Sequence, residues 1–584
     1  MKNNLDNVKF IAHQINTVVG DIDGNKKKII DLIKTTGDDK YFKIHIFPET
    51  AITGYLCGAL YDRLDFIKDA EDALDEIQNL ITDRTGAVII GHTSFHGVNN
   101  SGFPKLRNSV SLLQFDYERQ TYHKQLLANG DHHEDRKYFI AGDETKIFDY
   151  YINTNVIKIG VPICEDAWYV DHSRNIPNEM VKLGAEIIIS INQSYFYYGK
   201  QLKKYKMFSD IAKHNNVPVI MVNNVGCGDI VKNIVTYQGG SMSFDNNGRL
   251  TTLFEQFIEK SDTVNLISGS KNIIVNNNKY QEILDCLIYT QKEFFKLQGI
   301  NKAQVHISGG LDSAIVGYIV KEAMSIENTI LISNPSLCNG DETKSNAQYL
   351  ADKLGIKLYW NPIQEIYNKI KEVDEESFED ANIEMPKTGL STMQAVLRTV
   401  QGLAANHRFG SAIVNTGNHT ENVLGWFSFH DVGASGAIQL IGDLTKVELF
   451  KLAEHINIIN CDNIIPERLY NGGLKPLAEL PDIDADPFNY WVMSGICAEI
   501  IRNRKNKTDL MFEYDNKMLN LDFFPEQSIV YNEGRGAFET NIDIATRLMK
   551  RSVYKCAQAS PVAIISPRSR GFSNRETLIN KYNK

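Results

Sequence analysis

The sequence contains little cysteine, no long hydrophobic run and no excess of positive charge. Its 8 cysteines are spread over 584 residues without the CxxC or Cys/His spacing of a zinc site, which is typical of a reducing compartment. No stretch of roughly 18 apolar residues is present, and the opening MKNNLDNVKFIAHQ lacks the charged and apolar parts of a signal peptide. We therefore expect a soluble, cytoplasmic protein with no membrane partner.

The charge balance argues against a nucleic-acid partner. With 62 basic and 72 acidic residues the net charge is −10, so the chain lacks the Lys and Arg surplus that neutralises a phosphate backbone. A hydrophobic content of 43%, with 40 Gly and 15 Pro, excludes a disordered or collagen-like chain. The length allows two large domains or about three to four smaller ones.

Short apolar runs alternate with helical patterns over the first 250 residues. The runs are rich in Val and Ile, carry few charges and end in polar residues or Gly, as strands covered on both faces do. Glu49, Cys164 and Asn192–Ser194 directly follow such runs, and sites in α/β folds collect at the carboxyl ends of strands. The pattern predicts an α/β layered domain with a site at these residues. The runs are VKFIAHQI, KIHIFPE, GAVIIGHTSF, NVIKIGVPIC, AEIIISINQS and VPVIMVNNVG.

A second alternation of strands and helices follows a polar segment, SGSKNIIVNNNK, that resembles a linker. We therefore place one domain at 1–265 and another at 280–584. The order of elements predicts a β-α-β-α arrangement with a parallel sheet, whereas the pattern assigns no elements to 500–584. The predicted elements are helix 280–298, strand AQVHIS, a helix from Asp312, strand TILISNPS, helix 341–354, strand KLYWNP, helix 392–408 and strand SAIVNTGN.

The strongest local signal is the loop SGGLDS, residues 308–313, between an apolar strand and a helical pattern. Two glycines after a strand allow a tight turn, and the free amides at the start of the helix favour an anion such as phosphate. Ser308 and Ser313 can donate hydroxyl groups, and Asp312 can hold Mg²⁺ on a pyrophosphate. An ordinary strand–turn–helix, with Gly for close packing, is the alternative at this level.

The first half supplies a carboxylate, an ammonium group and a thiol. These are Glu49 in FPETAITGY, Lys124 in HKQLL and Cys164 in GVPICEDAW. A free thiol, with a pKa of about 8.5, needs a base or a positive neighbour to act as a nucleophile. Glu49 can be that base and Lys124 can stabilise an oxyanion, which predicts amide hydrolysis through a thioester. Taken singly, a core thiol and two surface charges are the ordinary alternatives.

These motifs resemble those of known families. SGGLDS resembles the pyrophosphate loop of the N-type ATP pyrophosphatases, which split ATP between the α and β phosphates to adenylate a substrate. NTGNHTENVLG, DLTKVELFKLA, KPLAELPDIDADP and VYKCAQASP are similar to successive motifs of NAD synthetases. AHQINTVVGDIDGN, FPE, HK and VPICEDAW, in that order, resemble the nitrilase family with its Glu-Lys-Cys triad. With VNNVGCGD, they are most similar to the glutaminase domain of glutamine-dependent NAD synthetases.

The resemblance implies the fold, the site residues and the ligands. The fold would be an N-terminal nitrilase-like α/β sandwich followed by a C-terminal doubly wound parallel-sheet domain of the ATP pyrophosphatase type. Glu49, Lys124 and Cys164 would be catalytic, and Mg²⁺ would bind Asp312 and Glu421. ATP, as co-substrate, would bind Ser308, Gly309, Gly310, Asp312, Ser313, Thr416 and Lys446.

The resemblance also implies a reaction. Cys164 would attack the side-chain amide of glutamine and release ammonia. The nicotinate carboxylate of deamido-NAD would attack the α-phosphorus of ATP, and ammonia would convert the resulting anhydride into the carboxamide. Free ammonia is protonated in water, so a protein tunnel is implied. The family assembles as homo-oligomers, and we expect a homo-oligomer here.

The chain departs from the family pattern around both sites. LLANGDHHEDRKYF stands where the family has LPNYGVFDExRYF, so either Glu134 or Asp135 is the auxiliary carboxylate. Glu134 and Ser194 are the candidates for glutamine binding. The segments 394–396, 429–431 and 476–480 also differ, reading QAV for QAR, FHD for YGD and PLAEL for PSAEL or PTADL. Amidation of nicotinate mononucleotide therefore stays open as an alternative. A non-catalytic NAD or ATP sensor is a second alternative, because a fold alone does not give a function.

Overall fold

The chain divides into two compact units. In the computed structural model the N-terminal unit comprises Met1–Ile230 and Val235–Asn278, and the C-terminal unit comprises Val231–Ile234 and Lys279–Lys584. The structure describes residues 8–35, 42–83, 85–130, 132–230, 232–267, 274–275, 277–381, 383–427, 435–471 and 488–569.

The chain up to residue 278 is rich in strands and contains a few helices. The strands are β1 (Val8–Gln14), β2 (Phe42–Ile46), β3 (Ala87–Val98), β4 (Pro104–Leu113), β5 (Gln120–His123), β6 (Phe148–Ile152), β7 (Asn155–Gly160), β8 (Ile187–Asn192), β9 (Val219–Asn223), β10 (Val225–Ile230), β11 (Asn233–Gln238), β12 (Met242–Phe244), β13 (Leu250–Leu253) and β14 (Lys260–Val264). The helices are α1 (Ile22–Lys34), α2 (Leu64–Asn79), α3 (Asp135–Tyr138), α4 (Ile176–Lys182) and α5 (Lys200–Asn215).

Within its described residues, the N-terminal unit contains two mixed sheets, ordered β14-β1-β2-β3-β4-β5 and β13-β12-β9-β8-β7-β6. Successive side chains of a strand point to opposite faces. In β3, Ala87 and Ile89 therefore join the core that both sheets share, whereas Val88 and Ile90 join the core beneath α1 and α2. Helices α4 and α5 pack against the second sheet. The predicted nitrilase-like α/β sandwich is confirmed, with helices on the outside and the two sheets between them.

The C-terminal unit contains more helices than strands. The strands are β15 (Ala303–His306), β16 (Thr329–Ser333), β17 (Leu358–Trp360), β18 (Ala412–Asn415), β19 (Ile438–Gln439) and β20 (Val562–Ala563). The helices are α6 (Lys279–Leu297), α7 (Leu311–Met324), α8 (Asp341–Leu354), α9 (Gln364–Ser377), α10 (Lys387–Phe409), α11 (His419–Leu424), α12 (Lys446–Asn460), α13 (Tyr490–Arg502), α14 (Lys507–Asp515), α15 (Gln527–Glu533) and α16 (Arg535–Cys556).

The strands of this unit form a parallel sheet with a change of direction at its middle. They lie in the order β20-β19-β18-β15-β16-β17, and each neighbouring pair is parallel. The chain proceeds from β15 to β17 on one side and then returns to β18 on the other side of β15. Ligands of open α/β sheets bind at the carboxyl ends of strands beside such a switch point. The predicted parallel-sheet domain is confirmed, and its expected binding crevice lies between β15 and β18.

The segment 500–584, to which the sequence pattern assigns no elements, is mostly helical between residues 500 and 556. Helices α13 to α16 enclose a core of their own that includes Met493, Phe524, Phe538 and Ile542. A Cβ atom at Gly495 would lie 2.3 Å from the Phe524 ring, so glycine permits the close approach of that ring to α13. Among all described helices, none combines the length and the apolar character that a membrane span requires.

Candidate active sites of the two units

Three charged side chains meet in the interior of the N-terminal unit. Glu49 follows β2, Lys124 follows β5, and Asp135 begins α3. The Lys124 Nζ donates to Glu49 Oε1 at 2.7 Å and to Asp135 Oδ2 at 2.7 Å, and each of these side chains is at most 1% exposed. Burial alone would lower the pKa of Lys124, but the two carboxylates hold that pKa well above its usual value. Lys124 is therefore an ammonium group at neutral pH.

The orientation of Glu49 is fixed at both of its carboxylate oxygens. Asn108 Nδ2 donates to Oε1 at 2.7 Å, and the backbone N–H of Gln193 donates to Oε2 at 2.9 Å. Strand β3 approaches closely because residue 91 is glycine, where a Cβ atom would lie 2.6 Å from Glu49 Cα. The expected meeting of Glu49 with the polar end of β8 is thus present in the structure.

Cys164 lies in a strained turn beside these charges. It follows β7 and begins a short 3₁₀ helix, Cys164–Ala167, with a backbone φ of +43° that non-glycine residues seldom adopt. Burial first, and then the charge of Glu49, raise the pKa of Cys164 well above its usual value, while Lys124 acts in the opposite direction. The resting thiol is therefore protonated, and it needs a base to react.

Asp135, rather than Glu134, is the acidic residue that contacts Lys124. The Tyr55 hydroxyl donates to Asp135 Oδ1 at 2.6 Å, so both oxygens of this carboxylate have partners. The Glu134 carboxylate lies 3.5 Å from Lys137 Nζ, whose side chain is exposed. Of the two candidates left by the sequence, Asp135 has the position of an auxiliary carboxylate.

A cation and a carboxylate flank the thiol in addition to the triad. Lys200 is buried, donates from Nζ to the Tyr195 carbonyl at 2.7 Å and lies 4.4 Å and 4.9 Å from the ring centroids of Tyr195 and Tyr197. Burial lowers the pKa of Lys200 to about 8, and the neighbouring Cys164 and Glu165 side chains oppose that shift. Sequence reasoning missed Lys200 and Glu165, although Glu165 directly follows the candidate nucleophile.

Ser194 is buried at the carboxyl end of β8, next to the residue that binds Glu49. Its N–H donates to Asn223 Oδ1 at 2.9 Å, and its carbonyl accepts from Asn223 Nδ2 at 3.3 Å. The structure thus places Ser194 at the edge of the site. Gln193 belongs to the predicted 192–194 segment, whereas sequence reasoning missed Tyr55 and Asn108, which also orient the carboxylates.

The SGGLDS loop connects β15 to α7 in a conformation that depends on glycine. Gly309 has a φ of +87°, and a Cβ atom there would lie 2.0 Å from the carbonyl oxygen of Thr343. The Ser308 Oγ accepts from the N–H of Gly310 at 3.2 Å and lies 3.2 Å from Ser313 Oγ. The loop therefore arranges backbone amides and hydroxyl groups at the start of a helix, as an anion site requires.

Asp312 forms an ion pair with Lys446 at the switch point of the sheet. The Lys446 Nζ donates to both Asp312 oxygens at 2.8 Å and 2.9 Å, and Asn418 Nδ2 donates to Oδ2 at 2.9 Å. The side chains of Asp312 and Lys446 are 14% and 9% exposed. The first turns of α7 and α12 and the N-cap of α11 therefore meet at one carboxylate.

Glu421 takes part in a capping box at the start of α11. Its N–H donates to Asn418 Oδ1 at 3.0 Å, and its Oε2 accepts from the N–H of Asn418 at 3.1 Å. Mg²⁺ is usually held by one or two carboxylates together with phosphates, and Asp312 and Glu421, linked through Asn418, fit that donor set. A metal ion at Asp312 must compete with Lys446. Thr416 is half-buried just after β18. Within the described ranges, no cluster of three or more His, Cys, Asp or Glu forms a metal site.

The three segments that depart from the family pattern are described only in part. Residues 429–431 and 476–480 lie outside the described residues. Gln394 is buried in α10, with its Nε2 3.9 Å from Cys338 Sγ, and Val396 is half-buried.

Comparisons with known proteins follow the same division of the chain. Residues 12–265 match the carbon-nitrogen hydrolase family, and residues 284–517 match the NAD synthase family. A glutamine-dependent NAD(+) synthetase of Synechocystis sp. is 25% identical over 96% of this chain and 96% of its own length. One from Aquifex aeolicus is 25% identical over 98% of this chain and 99% of its own length.

Solved structures show the same fold over nearly the whole chain. A glutamine-dependent NAD+ synthetase from Acinetobacter baumannii, solved with ADP, has a TM-score of 0.70 and 20% identity and covers 98% of this chain and 99% of its own. One from Cytophaga hutchinsonii has a TM-score of 0.77 and 17% identity and covers 98% of each chain. The resemblance inferred from the motifs is thereby confirmed for both halves.

Proposed function

The chain belongs to the carbon-nitrogen hydrolase family over residues 12–265 and to the NAD synthase family over residues 284–517, and from this premise we propose that it is a glutamine-dependent NAD+ synthetase. It hydrolyses glutamine in the N-terminal unit. In the C-terminal unit it uses the ammonia to amidate deamido-NAD while ATP is cleaved to AMP and pyrophosphate. The main support is the buried Lys124 ammonium between Glu49 and Asp135, electrostatically coupled to the Cys164 thiol.

In the proposed glutaminase reaction, Cys164 attacks the amide carbon of glutamine. Glu49 accepts the thiol proton and returns it to the leaving nitrogen, so that ammonia and a thioester form. The Lys124 ammonium, held in place by two carboxylates, stabilises the oxyanion of each tetrahedral intermediate. Glu49 then activates the water that releases glutamate. The high pKa of Cys164 supports this scheme, because a protonated thiol needs a general base and the charge of Glu49 acts on this thiol.

The charges around the thiol fit an α-amino acid. Lys200 and Glu165 act on the pKa of Cys164 in opposite directions, so a cation and an anion both lie near the reacting sulfur. We propose that Lys200 binds the α-carboxylate of glutamine and that Glu165 binds its α-ammonium group. Ser194, buried at the end of β8, lies on the same edge of the sheet and is a candidate hydrogen-bonding residue.

In the proposed synthetase reaction, the triphosphate of ATP lies over the loop between β15 and α7. Backbone amides at Gly309 and Gly310 and the hydroxyl groups of Ser308 and Ser313 face the phosphates. Lys446 and Thr416 contact the same nucleotide. Asp312 and Glu421 would hold Mg²⁺, which when bound supplies charge neutralisation for the departing pyrophosphate.

The nicotinate carboxylate attacks the α-phosphorus of ATP and forms an acyl adenylate, which ammonia converts to the carboxamide. Ammonia loses its lone pair when water protonates it. We therefore propose a sheltered path for it, and, from the resemblance, a homo-oligomer. Amidation of nicotinate mononucleotide is the less favoured candidate, because the relatives above are named for the dinucleotide product.

Product analysis by mass spectrometry tests the proposal. Wild-type enzyme is incubated with ATP, Mg²⁺, amide-¹⁵N glutamine and either deamido-NAD or nicotinate mononucleotide. We expect ¹⁵N-labelled NAD, glutamate, AMP and pyrophosphate in equal amounts, with the dinucleotide used at least about tenfold faster. Faster use of the mononucleotide would replace the proposed substrate, and release of ADP instead of AMP would contradict the adenylate.

A further inference from the structure

A buried carboxylate that the proposed chemistry does not use lies two residues after the nucleophile. Asp166 is fully buried and accepts four hydrogen bonds. Its Oδ1 accepts from the backbone N–H groups of Gln125 and Leu126 at 3.0 Å and 2.8 Å. Its Oδ2 accepts from the N–H of Ile163 at 3.1 Å and from the Tyr122 hydroxyl at 2.9 Å. Both oxygens are therefore fully engaged.

The four donors come from the two segments that carry the nucleophile and the ammonium group. Tyr122 belongs to β5, and Gln125 and Leu126 directly follow Lys124. Ile163 directly precedes Cys164. Strand β5 lies in one sheet of the N-terminal unit and β7, before Cys164, lies in the other. A single carboxylate thus joins the ends of strands from both sheets.

We propose that Asp166 is a positioning residue that fixes the Cys164 turn against the Lys124 segment and so sets the geometry of thiol attack in the glutaminase reaction. This inference rests on the proposed function. Hydrogen bonds to an ionised carboxylate are stronger than neutral ones. The strained backbone at Cys164 persists only if its surroundings hold it in place. The N–H of Ile163 bound to Asp166 supplies such a constraint one residue before the strain.

Asparagine in place of Asp166 would remove the hydrogen bond to the Cys164 turn and keep those to the Lys124 segment. The amide oxygen can still accept from Gln125 and Leu126 on the Lys124 side. The amide NH₂ would then face the N–H of Ile163, and two donors cannot bond, whereas the Tyr122 hydroxyl can rotate and accept. Asp166→Asn therefore loosens the Cys164 turn and leaves the Lys124 segment in place. A displacement of about 1 Å at a reacting atom costs roughly 100-fold in rate.

The test compares Asp166→Asn with Asp245→Asn in the full chain. Asp245 is a matched control, because it is a buried carboxylate of the same unit that accepts from two backbone N–H groups, of Asn247 and Arg249, at 2.9 Å each. For D166N we expect kcat of glutamine hydrolysis to fall about 30- to 100-fold, with KM within about threefold of wild type. Ammonia-dependent NAD formation should stay within about twofold, and D245N should match wild type in kcat within about threefold.

Alkylation of Cys164 by iodoacetamide, identified by peptide mass, gives a second measurement that needs no turnover. We expect the rate to rise at least about fivefold in D166N, because the thiol is 5% exposed and its turn is released. The positioning role would be overturned if D166N had the same kcat of glutamine hydrolysis as wild type, or if D166N and D245N lost kcat to the same extent. If the wild-type enzyme does not hydrolyse glutamine, the proposed function fails. The alkylation rate of D166N still tests the positioning role in that case, because a rate equal to that of wild type would show that Asp166 does not hold the Cys164 turn.

Tyr122→Phe provides a milder variant in case D166N does not fold. It removes one donor to Asp166 and keeps the carboxylate and its three backbone partners. We expect kcat of glutamine hydrolysis to fall about three- to tenfold with KM unchanged. A Y122F enzyme with wild-type kcat and alkylation rate would contradict the proposal.

Discussion

The two candidate sites differ in how deeply their charged side chains are buried. In the N-terminal unit, Lys124 lies between two carboxylates, and all three side chains are at most 1% exposed. In the C-terminal unit, Asp312 and Lys446 are 14% and 9% exposed and lie at the starts of helices. The first arrangement is complete before substrate binds, whereas the second presents amides and a carboxylate to a ligand.

The difference follows from the chemistry that each site is proposed to perform. Thiol attack on an amide needs a base and an oxyanion partner, and the protein provides both. Charges in a dry interior are tolerated only when they are paired and hydrogen-bonded. Adenylation uses a triphosphate that brings its own negative charge, so the site offers helix N-termini and one ammonium group. Removal of any one charged side chain should therefore impair the preassembled N-terminal site. The open C-terminal site should be impaired mainly by removal of a side chain that contacts the bound nucleotide.

Removal of the nucleophile should separate the two sites most clearly. Cys164→Ala is expected to reduce glutamine-dependent NAD formation at least about 10⁴-fold, because no other group can form the thioester. Ammonia-dependent formation should stay within about twofold of wild type. NAD formation is measured with each nitrogen source in turn. An equal loss with both sources would contradict the two-site scheme.

Removal of the carboxylate in the SGGLDS loop should have the opposite pattern. Asp312→Ala is expected to reduce pyrophosphate release about 100- to 1,000-fold with either nitrogen source, because the candidate Mg²⁺ ligand is lost. Pyrophosphate is measured by a coupled assay, and glutaminase activity of the same variant serves as its folding control. Normal pyrophosphate release would exclude Asp312 from the metal site.

The two lysines should differ in their effect on stability. Lys124→Met leaves Glu49 and Asp135 buried without a cation, which should destabilise the N-terminal unit by about 3–5 kcal/mol. Lys446→Met leaves Asp312 near solvent with its Asn418 hydrogen bond, so the expected loss is about 1–2 kcal/mol. Hydrogen exchange in β8 and in β15 reports the two units separately. An equal loss of stability in the two variants would contradict the expectation that the more deeply buried lysine contributes more.

Local patterns predicted most of what positions the sites. The sequence predicts a site at Glu49, Cys164 and Asn192–Ser194, and Glu49 does accept from the N–H of Gln193. The glycine of SGGLDS was expected to serve a tight turn, and Gly309 has a positive φ. Such features depend on a few neighbouring residues, so they can be read from a sequence. The Asn-x-x-Glu spacing of Asn418 and Glu421 is also that of a capping box, and a helix cap is the alternative to a metal role that the sequence offers for Glu421.

Contacts between distant segments were beyond the reach of the sequence. Asn108 orients Glu49 from a position 59 residues away, and Tyr55 donates to Asp135 from a position 80 residues away. The choice between Glu134 and Asp135 depends on which side chain a short helix turns toward Lys124. Helix α16 was within reach of the sequence, because its buried residues Phe538, Ile542 and Ala545 recur at helical spacing.

Acid should affect the N-terminal unit more than the C-terminal unit. Among the described residues, burial lowers the pKa of His45 to about 4 and those of His92 and His133 to about 3 in the N-terminal unit. In the C-terminal unit, burial lowers the pKa of His306 to about 4. In the unfolded chain these histidines bind protons near pH 6.5, whereas in the folded chain they do so only near pH 3 to 4. Their contribution to the free energy of unfolding is therefore present above pH 6.5 and is lost as the pH falls toward 4.

Each such histidine should cost about 2 kcal/mol of stability on going from pH 7 to pH 5. Hydrogen exchange at both pH values should therefore show a larger loss of protection in β8 and β9 than in β15 and β16. His92→Gln serves as the control, since it removes one titrating group from β3 and should reduce the acid sensitivity of the N-terminal unit by about the amount of one histidine. An equal loss of protection in both units, or an H92Q variant as acid-sensitive as wild type, would show that these histidines do not carry the pH dependence.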